Sequence, residues 1–135
     1  MTEEMNEELY KEEIGQQIKD IEVKDNLVRF IKVDDGVISL SYEHDQDCCE
    51  SVYADFGVIN YYKDLIVGKE FHELIIKSVK DMGFLVCFMN DYGDRAKVFI
   101  PCYNEQNGYY SSNLELIIND KTKIDISGLV EHHID

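Results

Sequence analysis

Leu27-Val28-Arg29-Phe30-Ile31-Lys32-Val33-Asp34-Asp35-Gly36-Val37-Ile38-Ser39-Leu40-Ser41-Tyr42-Glu43-His44 is the stretch on which the reading of this chain turns. Two runs rich in Val, Ile, Leu and aromatic residues flank Asp35-Gly36. An Asp-Gly pair between such runs signals a β-hairpin closed by a two-residue type I′ turn. With that pair central, Val33 faces Ile38, Ile31 faces Leu40, Arg29 faces Tyr42 and Leu27 faces His44. The aliphatic pairs then share one face, as a hairpin with one buried side requires.

Working outward, Ile18, Ile21 and Val23 predict a short strand before this hairpin. After it, Asp91-Tyr92-Gly93-Asp94 separates the apolar run Phe84–Met89 from Lys97–Cys102, a second hairpin. Asn107-Gly108 is then expected to turn that strand back into Leu114–Ile118, with Phe99 opposite Leu116 and Pro101 opposite Leu114. Pro101 has no N–H, which implies a bulge or a free edge there. Residues 58–66 read as helical or irregular, and 71–79 fits a strand or a short helix by periodicity. The fold class that results is α+β, mainly antiparallel β: one curved sheet of several hairpins with one or two short helices.

A chain of 135 residues suits one domain with a real core, and its 44% hydrophobic content supplies that core. The expected organisation is an acidic N-terminal arm over 1–14 and a single β-rich domain over 15–135. In the arm, Met5 and Leu9 at i,i+4 and a capping Thr2 favour a short helix. The like-charged pairs Glu3/Glu7, Glu4/Glu8 and Glu8/Glu12 weaken it.

Net charge is −15, from 28 acidic and 13 basic residues. Direct binding to nucleic acid is disfavoured, because a phosphate backbone must be neutralised by Lys and Arg. An anionic membrane is disfavoured on the same ground. A basic partner is attracted, although such charge also serves solubility. Nine Tyr and six Phe, with no Trp, suit β-sheet and contact surfaces alike. The four cysteines, Cys48, Cys49, Cys87 and Cys102, form no disulfide framework. Adjacent Cys48 and Cys49 point to opposite faces of a strand, which is poor geometry for bonding each other. With no signal-peptide pattern and no run long enough to span a membrane, a cytoplasmic protein is expected.

Chemistry concentrates in His44-Asp45-Gln46-Asp47-Cys48-Cys49-Glu50. A metal site would use His44 and a Cys, with Cys87 or Cys102 completing the set, but no C-x-x-C spacing is present. A thiol nucleophile would pair Cys48 with His44, oriented by Asp47 or Glu50, but no catalytic signature surrounds it. A polar recognition loop with buried thiols and backbone-bonding Asp side chains requires neither. That reading implies no metal, no cofactor and no catalytic residue. The binding candidates are His44, Gln46, Asp47 and Glu50. Asn107 and the pair Tyr109 and Tyr110 join them from Asn107-Gly108-Tyr109-Tyr110-Ser111, where one Tyr of the pair should be exposed. Glu4, Glu8 and Glu12 of the arm complete the set. The two strings are expected to meet at one end of the sheet, bonded through Asp47 or Glu50. His132 and His133 read as a solvated tail.

The order Gly15-x-x-Ile18-x-x-Ile21, Asp35-Gly36, His44-x-Gln46-Asp47-Cys48-Cys49-Glu50-x-Val52 and Asn107-Gly108-Tyr109-Tyr110-Ser111 resembles a domain of unknown function in small phage and prophage proteins. The resemblance covers roughly residues 15–118. It implies a phage-type accessory protein of the host bacterial cytoplasm and carries no activity with it. The expected function is therefore that of a non-enzymatic binding protein. It would inhibit a host defence or nucleic-acid-handling protein by occupying a basic groove, and self-association as a homodimer is compatible with it. The alternative is a Cys/His-based small-molecule or metal-binding protein or enzyme.

Overall fold

A computed structural model describes residues 7–15, 17–24, 26–43, 52–80, 82–90, 95–104 and 114–130. Among the described residues ten strands run in order as β1 (Glu8–Glu13), β2 (Ile18–Lys24), β3 (Leu27–Lys32), β4 (Val37–Glu43), β5 (Val52–Ala54), β6 (Glu73–Val79), β7 (Gly83–Met89), β8 (Arg95–Asn104), β9 (Glu115–Ile118) and β10 (Thr122–Asp125). Between β5 and β6 a 3-10 helix over Phe56–Tyr62 continues into a one-turn α-helix, Lys63–Ile66. The fold class is the one the sequence predicts: mainly antiparallel β, with a strongly curled sheet and one short helical segment. The strands divide into two five-stranded sheets, β1-β6-β7-β8-β5 and β10-β9-β4-β3-β2.

Each sheet is built on a three-strand meander, β6-β7-β8 or β2-β3-β4; buried residues alternate along β3 and β4, while β6 and β7 also bury Ile75, Val79 and Cys87 on their other face. Val28, Phe30, Ile38 and Leu40 from one meander face Leu74, Ile76, Phe84, Val86, Phe88, Val98 and Ile100 from the other in a single core. Phe30 and Phe88 meet edge to face across the sheets, with centroids 5.3 Å apart, and Phe71 adds its ring to Phe88 at 5.6 Å. Phe56 of the helical segment lies between Tyr42 and Phe84, so this segment closes a side of the core.

Four sequence expectations change. The first hairpin forms, but Ile38 faces Phe30 rather than Val33, Leu40 faces Val28 rather than Ile31, and Leu27 faces Ser41. Arg29 correspondingly faces Ser39 rather than Tyr42. Its loop has three residues, Val33-Asp34-Asp35. The Lys32 carbonyl accepts from the Asp35 N–H, Asp35 is left-handed at φ 68°, and the Asp34 carboxylate accepts from the Gly36 N–H at 2.8 Å. A type I turn followed by a left-handed residue is the usual three-residue solution, and Asp tolerates that conformation. The odd shift exchanges the faces of β3, so Phe30 enters the core and Val33 stays half exposed.

The second change concerns β8 and β9, which do not pair. Phe99 faces Leu85 and Pro101 faces Gly83 on β7, while Leu116 faces Tyr42 on β4. Asn-Gly favours a local turn but does not choose the partner of the strand that follows. Third, Pro101 is not on a free edge. β5 ends at Ala54 opposite Cys102, so the ladder has stopped where the proline lacks its N–H, and the Asp55 N–H donates to the Pro101 carbonyl. Gly83 makes room opposite it: at φ 150° a Cβ there would lie 2.1 Å from the Ile100 carbonyl oxygen.

Fourth, residues 8–13 of the expected helical arm are strand β1, hydrogen-bonded to β6 and therefore part of the folded body. Extending the chain removes the i,i+4 repulsion between Glu8 and Glu12 and gives its backbone groups partners on β6.

Because Phe30 and Phe88 carry the contact between sheets, Phe30→Ala should lower stability by about 3–5 kcal/mol. Urea denaturation should show this as a fall in midpoint at nearly constant slope.

A candidate binding surface at the acidic pole

β4, β9 and β10 end together. Glu43 is paired with Glu115, and Glu115 with Asp125. The neighbouring residues Leu116 and Ile118 are buried, so strand alternation turns Glu43, Glu115 and Asp125 out onto one face. Like charges directly opposite in a sheet are destabilising. Among the described residues no Lys or Arg forms an ion pair with any of the three.

Asp125 is fixed in place. Its carboxylate accepts from the Ser127 hydroxyl at 2.6 Å and from the Ser127 N–H at 3.0 Å, and these bonds hold its carboxyl below the usual range. The same hydroxyl oxygen accepts from the Leu114 N–H at 2.9 Å, tying the start of β9 to the end of β10.

His44, Gln46, Asp47, Glu50, Asn107, Tyr109, Tyr110 and Glu4 lie outside the described residues, as do Cys48 and Cys49. The strand ends that bound them are described. Segment 44–51 runs from Glu43 to Val52, and segment 105–113 from Asn104 to Leu114. Glu43 is paired with Glu115, next to Leu114, and Val52 is paired with Asn104. Both segments are thus rooted at the same two places, one of them beside the carboxylate row and the other at the β5–β8 pair.

Acidic residues without a nearby Lys or Arg in sequence add to this row. Segments 44–51 and 105–113 contribute Asp45, Asp47, Glu50 and Glu105. Sequence pairing signals gave no hint of the row itself, because Glu43, Glu115 and Asp125 become neighbours only through the β4-β9-β10 register.

Glu8 and Glu12 do not share a face. Glu8 lies opposite Lys77, while Glu12 lies opposite Leu74, across a register shift between Glu8 and Tyr10. The Glu12 carboxylate accepts from the Tyr10 hydroxyl at 2.9 Å and from Asn119 Nδ2 at 3.1 Å, linking β1 to the β9–β10 turn of the other sheet. Burial and the adjacent carboxylate push the Tyr10 hydroxyl up to about 12.

The described cysteines serve packing. Cys102 is fully buried on the inner face, and burial pushes its thiol up to about 12. Cys87 lies on the opposite face of the same sheet, buried near Lys77, Arg95 and Lys97; burial raises its thiol and those cations oppose the rise. The two therefore cannot complete one metal set, and among the described residues no three His, Cys, Asp or Glu are grouped to hold an ion. No described helix is long and apolar enough to cross a membrane. In comparisons with known proteins, no family model, no curated protein and no solved structure matches the chain.

Cys102 and Tyr10 hold their protons in the folded state at a pH where the unfolded chain releases them. Stability should therefore be full below about pH 9 and fall as pH rises toward about 12. Urea midpoints measured from pH 8 to 11 should show this decline, and Cys102→Ala should flatten it.

Proposed function

We propose that this chain is a small phage-type binding protein that places its acidic pole in the basic groove of a host protein. The host protein is one of defence or nucleic-acid handling in the bacterial cytoplasm, and the groove is one that otherwise holds DNA or RNA. The observation that carries this reading is the aligned row Glu43–Glu115–Asp125. Three carboxylates set side by side without a cation weaken the fold, and a cationic partner reverses that repulsion. Segment 44–51, which leaves β4 at Glu43, adds Asp45, Asp47 and Glu50 to the negative field, and such a field steers association with a basic partner.

The reading takes His44, Gln46, Asp47, Glu50, Asn107, Tyr109 and Tyr110 as binding residues, because their segments leave from or return to Glu43 and Leu114 in sequence, and it counts the charge of Glu4 and Glu8 toward the attraction. Glu12 has a structural share as well, through Tyr10 and Asn119.

The test combines capture from bacterial lysate with a charge-neutralised variant, Glu43→Gln/Glu115→Gln/Asp125→Asn. The captured protein should be a basic nucleic-acid binder, released by salt and displaced by DNA or RNA. The variant should associate about 10-fold more slowly or worse. Relief of the Glu43–Glu115 repulsion, about 0.2–1 kcal/mol, should be offset by the weaker bonds that an amide at position 125 makes with Ser127, so its stability should stay close to the parent's. Capture that ignores both salt and the triple substitution would overturn the reading.

A further inference from the structure

We propose that β1 is an exchangeable strand, and that the β6 edge also receives β1 from a second copy of this chain, giving a strand-swapped dimer. None of the six β1 side chains is fully buried, and its contact with the core rests on two half-buried residues, Leu9 and Tyr10. β1 is held by a ladder with a register shift at Glu8/Tyr10, by Lys11–Glu73 at 3.5 Å, and by the Glu12–Asn119 bond. Glu13 directly opposes Glu73, so the last pair of the ladder is repulsive.

β6 is the reverse. Leu74, Ile75, Ile76, Ser78 and Val79 are buried, and without β1 this strand would present an apolar open edge. Bare edges of that kind pair with whatever strand is offered. The strand whose register already fits is another β1.

The connection after β1 favours exchange. Ile14 is buried and its N–H donates to the His72 carbonyl, after which the chain passes directly into β2 of the other sheet, starting at Ile18. At the start of that passage Gly15 sits at φ 73°, a conformation that glycine adopts at little cost and that leaves the backbone there the freest point of the connection. Short connections of this type invite swapping, because an opened hinge forms the same contacts between copies as within one. Chain order adds to this. β1 is made long before β6 and waits unpaired while the local β2-β3-β4 meander forms.

The salt dependence separates this proposal from the reading of the acidic pole. Two chains of −15 repel, so swapping rises with salt, whereas binding to a basic groove falls.

The experiment refolds the full chain at high protein concentration and high salt and examines it by analytical ultracentrifugation. A species of about twice 15.7 kDa is expected, more abundant as salt rises. Glu13→Cys/Glu73→Cys then places a thiol on each strand of the pair, with each single variant as a control for bonding to native thiols. Oxidation of the dimer fraction should give a covalent dimer on non-reducing denaturing gels, and of the monomer fraction an intrachain bond only. Four extra Gly/Ser residues after Gly15 should cut the dimer fraction about tenfold, since a longer hinge lets β1 fold back. A 15.7 kDa species alone under every condition would overturn the proposal. So would a dimer whose introduced thiols pair only within each chain.

Discussion

Phe30 meets Phe88 edge to face at 5.3 Å, and most of the molecule is arranged around keeping that contact dry. Two antiparallel meanders each have one apolar face, and neither is stable until that face is covered. Setting them against each other fixes which residues of every strand point inward. Phe71 and Phe56 then extend the aromatic core toward the segments that link the sheets, and the helical turn over 56–66 closes a gap neither sheet fills. The register of β3 follows from the same constraint, because only the three-residue loop brings Phe30 to the inner face.

The surface follows from the core. Once Leu116 and Ile118 are inside, Glu115 and its cross-strand neighbours Glu43 and Asp125 must be outside and adjacent. A row of like charges is a poor choice for stability alone. Glu12 illustrates how the two demands mix: in an edge strand its inward carboxylate discourages foreign pairing, while its bond to Asn119 joins the sheets.

The positions of β2, β7 and the β7–β8 hairpin were legible in the chain as apolar runs or alternations bounded by turn residues, whereas periodicity left β6 open between strand and helix and residues 58–66 between helical and irregular. The division into two sheets was not legible. Apolar alternation in β8 and β9 is equally compatible with one pairing or another, and Asn107-Gly108 acts only on the residues beside it. The arm was misread for a similar reason: its Glu and Leu spacing suits a helix, and only the open β6 edge makes the strand preferable.

Of the candidate surface, the acidic character and the segments that carry most of it are composition, and composition is fixed before folding. Strand identity and burial potential are local as well, since they depend on neighbours two to four residues away. The row Glu43–Glu115–Asp125, the common roots of segments 44–51 and 105–113, and the opposite faces of Cys87 and Cys102 depend on register and sheet partner. Those are set by the mutual burial of residues far apart in the chain. A one-residue slip turns every side chain of a strand to the other face, so local pattern fixes what a strand is and only the packed core fixes what it faces.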